Sequence, residues 1–195
     1  MSRTSRIERK TTETQVAVEI VLDGEGNADV HTGIAFFDHM LTLFCVHGRL
    51  DLNVMANGDL DVDFHHTAED VGLVLGEAVS AALDSRTGIE RYGFAVTPMD
   101  EALAQVAIDL SNRPYLVYRL PGDLSCVGPF DAGLAKEFFR AFAVKGGMNL
   151  HINVPYGENE HHVLESVYKS VGRGLKQAVQ IDRARAGILS SKGVL

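Results

Sequence analysis

His65-His66-Thr67-Ala68-Glu69 and His161-His162-Val163-Leu164-Glu165 are two copies of one pattern, His-His-x-x-Glu, set 96 residues apart in a chain of 195. They hold four of the eight histidines, and helical sequence follows each. A repeat at nearly half the chain length points to a duplicated unit.

The segments around the doublets recur in the same order. Val16, Val18 and Ile20 alternate with polar residues as a half-buried strand. Asp23–Asn27 is turn sequence, which predicts a hairpin into 28–32. Residues 34–46 are apolar at helical spacing and stop at His47-Gly48. Leu50, Leu52 and Val54, then Leu60, Val62 and Phe64, alternate around Asn57-Gly58 and predict a second hairpin. A helix follows from His65 to about Ser85. The series then restarts: a strand at 91–96, a strand through Ala104, Val106 and Ile108, a turn at Ser111–Pro114 with a return strand at 116–118. After it come a helix at 133–144, a strand at 150–154 and a helix from His161 to about Ala184. Residues 1–10 read as a flexible arm. The fold class is therefore α+β, with one repeat over 1–88 and another over 89–195. Each is a sheet with helices on one face, and together they form one compact unit. Asp84–Gly88 is the nearest approach to a boundary.

Composition narrows the function. A net charge of −8 argues against nucleic acid as a partner, but a few convergent cations can still hold one phosphate. No stretch approaches the roughly 18 apolar residues of a membrane span. The polar, basic N-terminus is not a secretory signal. Two cysteines, Cys45 and Cys126, make no disulfide framework and read as small core residues. A reducing cytoplasm is the expected location.

The doublets carry the chemistry. On a helix, residues four apart share a face, so His65 converges with Glu69 and His161 with Glu165. Adjacent histidines diverge by about 100°, so each doublet is expected to reach two ions. Aligning Met40–Phe44 with Phe138–Phe142 sets His39 against Glu137. The expected metal ligands are thus His39, His65, His66, Glu69, Glu137, His161, His162 and Glu165. Internal symmetry suggests grouping His39, His65, Glu69 and His162 at one ion, and His66, Glu137, His161 and Glu165 at the other. Imidazole and carboxylate donors without thiolate suit Mn²⁺, Fe²⁺ or Zn²⁺, and four protein ligands leave a six-coordinate ion open to substrate. Taken singly, Glu137 also reads as an ordinary exposed helix glutamate.

With these residues in place, the chain resembles the imidazoleglycerol-phosphate dehydratase family along nearly its whole length. The matching motifs are Arg9–Thr14, Phe37–Leu41 with His47-Gly48, His65–Asp70, Gly88–Gly93, Ser111–Pro114, Asn159–Ser166 and Ser191–Gly193. The resemblance implies a hydro-lyase of histidine biosynthesis that dehydrates D-erythro-imidazole glycerol phosphate to imidazole acetol phosphate. It also implies two Mn²⁺ ions per active site, a duplicated ribosomal protein S5 domain 2-like fold, and a homo-oligomeric 24-subunit shell of trimers with sites between subunits. Two positions depart from the pattern. Glu137 stands where the family often has histidine, and Leu43 where many members carry glutamine, which removes a possible substrate contact.

The remaining site residues follow from the substrate's chemistry. An imidazole offers two nitrogens, so the substrate ring is expected between the two ions. Removing water still needs a base for the C2 proton and an acid for the departing hydroxyl. Glu13, at a strand start, is the leading candidate for proton transfer; its ordinary reading is a solvated strand glutamate. His47 either meets a substrate hydroxyl or is simply a cation favoured at a helix C-terminus. Glu69 and Glu165 could exchange protons beside the metals. Arg91 and Arg113 lie in turn sequence suited to bidentate phosphate contacts. Lys169 is about 12 Å along its helix from His161, where the phosphate end of a short substrate would reach. Ser191 and Lys192 belong to a tail that could close over the ligand. By residue type alone these cations are ordinary surface groups; the resemblance gives them their role. Asp70 is either a partner that orients a histidine or a helix N-terminal acid. Asp100 and Glu101 are further acids near the motifs, and His31 and His151 read as structural. Two other readings compete: a two-metal hydrolase that activates water, and a metal-storage or structural protein that would leave the cations without a task.

Overall fold

A computed structural model describes residues 3–122, 124–182 and 187–190. Strands β1 (Thr4–Lys10), β2 (Thr14–Val21), β3 (Ala28–His31) and β4 (Asp51–Gly58) carry helices α1 (Ala35–Gly48) and α2 (His65–Leu83). The second half has β5 (Tyr92–Met99), β6 (Ala102–Asp109), β7 (Tyr115–Arg119) and β10 (Asn149–Tyr156). It carries α3 (Gly133–Gly146) and α4 (Glu160–Ala178), with a two-stranded ribbon of β8 (Cys126–Val127) and β9 (Phe130–Asp131) before α3. The sheets run β1-β2-β4-β3 and β5-β6-β10-β7, the same order twice. The α+β duplication read from the sequence is the fold.

The inward residues of β2 (Val16, Val18, Ile20) and of β6 (Ala104, Val106, Ile108) are buried and their neighbours are not, so each sheet is covered on one face only. The helices cover those faces and also join the halves. α1 packs on α4 and α2 on α3, and one apolar cluster runs through both halves. Aromatic rings stitch α1 to α3: Phe37 meets Phe138 at 5.2 Å and Phe44 meets Phe142 at 6.0 Å between centroids.

Glycines set which helices cross. A Cβ on Gly76 of α2 would stand 2.5 Å from the Phe142 carbonyl oxygen and 2.8 Å from the Gly146 nitrogen of α3. Gly172 of α4 meets Phe44 and Gly48 of α1 in the same way. Gly76 and Gly172 are 96 residues apart, the spacing of the doublets. The duplication therefore extends to a crosswise pair of close helix contacts.

Several local expectations differ. Residues 4–10 are not an arm but an edge strand, paired with β2 from Thr4↔Val21 to Lys10↔Gln15. An edge strand needs few apolar residues, and only Ile7 packs on the core. β3 does not form a hairpin with β2, and β7 does not form one with β6. Each runs parallel to the strand that follows the next helix, β4 and β10. Residues 60–64 are not a strand: Val62 is exposed, while Asp63 accepts the His65 N–H at 2.7 Å and so prepares the start of α2. α4 ends at Ala178, before the expected Ala184. Cys45 is buried and its thiol pKa is pushed up to about 12, chiefly by burial. Cys126 is exposed on the β8–β9 ribbon rather than in the core.

Candidate active site

Asn159 caps α4, its side-chain oxygen accepting the backbone N–H groups of His161 and His162 at 2.9 and 3.2 Å. One turn on, Glu165 shares the face of His161, with Nε2 and Oε2 3.1 Å apart. α1 lies alongside and brings His39 Nε2 to 3.6 Å from the same oxygen. Donor atoms of His39, His161 and Glu165 all lie within 4.8 Å of one another. Ligands about 2.0–2.2 Å from a shared ion stand roughly 3–4.4 Å apart, so small rotations would close these three round one divalent cation. Burial works against ionisation of Glu165, but Lys169 and His161 outweigh it and hold the carboxyl below its usual range. Lys169 Nζ reaches Glu165 Oε1 at 2.5 Å.

The corresponding groups of the other helix pair are His65 and Glu69 on α2, with Nε2 and Oε2 3.8 Å apart, and Glu137 on α3. Arg140 sits between the two carboxylates, pairing with Glu137 and lying 3.8 Å from Glu69. Glu137 is thus not a solitary surface acid: it shares Arg140 with Glu69. The grouping differs from the symmetry argument. His39 joins His161 and Glu165 rather than His65 and Glu69, and Glu137 joins Glu69. The reason is the crossing pattern, since α1 lies against α4 and α2 against α3.

His66 and His162 stand apart from their neighbours, with ring planes turned 88° and 78° from those of His65 and His161. Each has its Nδ1 on a carboxylate: Asp59 at 3.0 Å for His66 and Glu101 at 2.7 Å for His162. These contacts raise both histidine pKa values. The Glu101 carboxyl falls to about 2, first through His162 and then through the Asn159 N–H. Asp59 and Glu101 were not legible as partners. Glu101 lies 61 residues from His162 in a two-residue turn, and sequence places it only near the motif.

The other expected site residues fall into three places. Glu13 ends the β1–β2 turn, exposed, 3.8 Å from His66 Nδ1. His47 lies in the last turn of α1 and, with Arg49, Phe94, Arg173, Lys176 and Gln177, lines a cavity of about 370 Å³. Burial and then the charges of Lys169 and Arg173 lower its pKa. Arg91 is buried and clamped to Asp109 at 2.6 Å, with a further bond to the Leu189 carbonyl at 2.5 Å. Exposed Arg113 approaches the same Asp109 at 3.9 Å. Arg91 and Arg113 therefore share a carboxylate, whereas Lys169 shares Glu165. Ser191 and Lys192 lie outside the described residues. Asp70 orients no histidine: it binds Arg9 at 3.0 Å and the Thr14 hydroxyl, tying α2 to the first hairpin. His31 and His151 are exposed rather than built into the core.

Comparison with known proteins shows the family of the chain. Residues 32–175 match the family model described as imidazoleglycerol-phosphate dehydratase. The chain is 58% identical over its full length to the whole of the imidazoleglycerol-phosphate dehydratase of Desulfosudis oleivorans. The crystal structure of the Staphylococcus aureus enzyme of that name superposes with a TM-score of 0.83 at 36% identity, covering 92% of this chain and 99% of that one. The Pyrococcus furiosus structure gives a TM-score of 0.84 at 35% identity, covering 97% of this chain and 100% of that one.

Proposed function

Because the chain belongs to the imidazoleglycerol-phosphate dehydratase family of histidine-biosynthesis lyases, we propose that it works with two Mn²⁺ ions per active site, in sites completed between subunits. The observation that carries this is the convergence of His39, His161 and Glu165 within 4.8 Å. On the other helix pair the matching groups are less closely drawn together: His65 and Glu69 stand 3.8 Å apart, and Glu137 shares Arg140 with Glu69. The two groups would each hold one ion. His66 and His162, held on carboxylates apart from these groups, would supply the fourth ligand to the ions of a neighbouring subunit. When bound, the ions supply Lewis-acid and template chemistry for a nitrogen heterocycle.

The protein's own groups account for the rest of the elimination. Glu13 takes the proton from C2, and the electron pair of that C–H bond forms the C2–C3 double bond. The hydroxyl leaves C3 as water with a proton from an acid, for which His47 is the candidate. The resulting enol becomes the ketone of imidazole acetol phosphate. Glu69 and Glu165 are the carboxylates next placed to move a proton. The phosphate is held by Lys169 and, from a neighbouring subunit, by Arg91, Arg113, Ser191 and Lys192. For Lys169, Arg91 and Arg113 that division is supported by the different carboxylates they share within one chain. A homo-oligomer of 24 subunits built of trimers, acting in the cytoplasm on a phosphorylated small molecule and on neither nucleic acid nor membrane, completes the reading. Among the described residues no helix is long and apolar enough to cross a membrane.

The test is to strip the purified chain of metal, restore Mn²⁺ or Fe²⁺, and follow imidazole glycerol phosphate into imidazole acetol phosphate. Turnover that returns with metal supports the reading. No turnover with either ion refutes it. A triazole-like analogue of the imidazole should bind tightly, which a water-activating hydrolase would not require.

A further inference from the structure

The two halves repeat their histidines but not the carboxylates around them. β2 begins at Thr14 and β6 at Ala102, so Glu13 and Glu101 occupy the same place, the residue just before the second strand of each half. β4 ends at Gly58 and β10 at Tyr156, so Asp59 and Gly157 also correspond. In the first half Asp59 takes His66 Nδ1 at 3.0 Å, and Glu13 stays exposed at 3.8 Å. In the second half no side chain is available at 157. A Cβ there would stand 2.5 Å from Val163 Cγ2 and 3.0 Å from Ala102 Cβ. Glu101 does the holding instead: Oε2 takes His162 Nδ1 at 2.7 Å, while Oε1 accepts the N–H groups of Glu158 and Asn159 at 3.2 and 2.8 Å.

We infer that Glu101 is a positioning residue which fixes His162 with Nδ1–H donating and leaves the Nε2 lone pair, beyond hydrogen-bond reach of Asp100 at 3.8 Å, as a metal ligand, and that Asp59 does the same for His66. Asp59 thereby leaves Glu13, the counterpart of Glu101, free to transfer protons. The inference rests on the metal reading above. Its chemistry is general: an ionised carboxylate only accepts hydrogen bonds, so the imidazole nitrogen facing it carries the hydrogen and the other keeps its lone pair. The duplicated site is thus split in role, one turn glutamate reacting and the other holding.

Glu101→Gln tests this with little change in shape. The two backbone N–H groups require the amide oxygen on their side, which turns the amide NH₂ toward His162. Nδ1 must then accept, the ring hydrogen moves to Nε2, and the ligand lone pair is lost. The readout is binding of Mn²⁺ alone to the full assembled chain, without substrate, followed by the electron paramagnetic resonance of free Mn²⁺. Glu101→Gln should weaken binding about 10–100-fold and leave the melting temperature of the metal-free chain unchanged. Glu101→Asp should recover part of the affinity. Glu13→Gln should bind Mn²⁺ within about twofold of wild type. If wild type binds Mn²⁺ and Glu101→Gln binds it equally well, or Glu13→Gln is as impaired as Glu101→Gln, this inference is overturned alone. If wild type binds no Mn²⁺, it falls together with the metal reading.

Discussion

Gly172→Ala and Gly174→Ala, two residues apart on α4, should move stability in opposite directions. A Cβ at 172 falls on the Phe44 carbonyl oxygen and 3.1 Å from the Gly48 nitrogen, both backbone atoms of α1 that cannot swing aside. Overpacking of this kind costs about 1–3 kcal/mol. Replacing a helical glycine by alanine returns about 0.5–1 kcal/mol; because the clash is with backbone, the overpacking cost falls in the upper part of its range, and the net loss is about 1–2 kcal/mol. At position 174 the new methyl would meet only Ile108 and Val106 side-chain carbons at 3.4–3.7 Å, ordinary contact distances. That variant keeps the helix gain without the clash and should be more stable by about 0.5–1 kcal/mol. For a chain of this size the melting temperatures should fall by about 2–8 °C and rise by about 1–4 °C respectively. Calorimetry of both variants at one protein concentration, metal-free, checks the pair; fixed concentration matters because subunit association contributes to stability. Only the 172 variant should also weaken Mn²⁺ binding, because the displaced helix is the one that carries His39 to Glu165. Equal effects of the two substitutions, or stabilisation by Gly172→Ala, would show that the α1–α4 crossing is not set by this contact.

Three further outcomes follow from the same geometry. Glu137→Ala should weaken Mn²⁺ binding about as much as His39→Ala, measured by equilibrium dialysis; unchanged metal content would break the correspondence between the two helices. Arg86 is buried and donates to the carbonyls of Leu110, Gly146 and Gly147, so Arg86→Ala should cost about 3–5 kcal/mol in urea unfolding by orphaning those buried acceptors, and a loss under 1 kcal/mol would refute that. Asp51 accepts the N–H groups of Glu25, Gly26 and Asn27, and these bonds lower its pKa, those from Asn27 and Glu25 most. Its contribution is therefore present above the ordinary pKa of an aspartate and lost as pH falls through the lower folded value. Asp51→Asn should flatten the stability–pH curve in that acid range and leave its shape near neutrality unchanged.

The doublets and the alternation around Val16, Val18 and Ile20 made the duplication legible, because both depend on near-neighbour spacing along the chain. What stayed hidden depends on partners far apart in sequence. β1 looked like an arm because an edge strand is held mainly by backbone pairing. The turns at 23–27 and 111–114 suggested hairpins, yet β3 and β7 each pair in parallel with a strand beyond the next helix. The candidate ligands could be named one by one, but their grouping could not. It is decided by which helices cross at Gly48, Gly76, Gly146 and Gly172, and glycine leaves no hydrophobic signature.

That crossing also gives the site a direction. His39 lies beside Glu165 at one end of the α1–α4 pair, and Gly48 lies beside Gly172 further along, so the two helices run in parallel. Along α4 the charges then read Glu165, Lys169, Arg173 and Lys176, from anionic to cationic. His47 on α1 reaches the cationic stretch, as the influence of Lys169 and Arg173 on its pKa shows. A ligand with a nitrogen ring at one end and a phosphate at the other has a single favourable orientation on such a surface. On the function proposed above, the ring would face the donors at His39, His161 and Glu165, and the phosphate would lie toward Lys169. On a chain of net charge −8, this local run of cations opposes the overall field where a phosphate would have to bind.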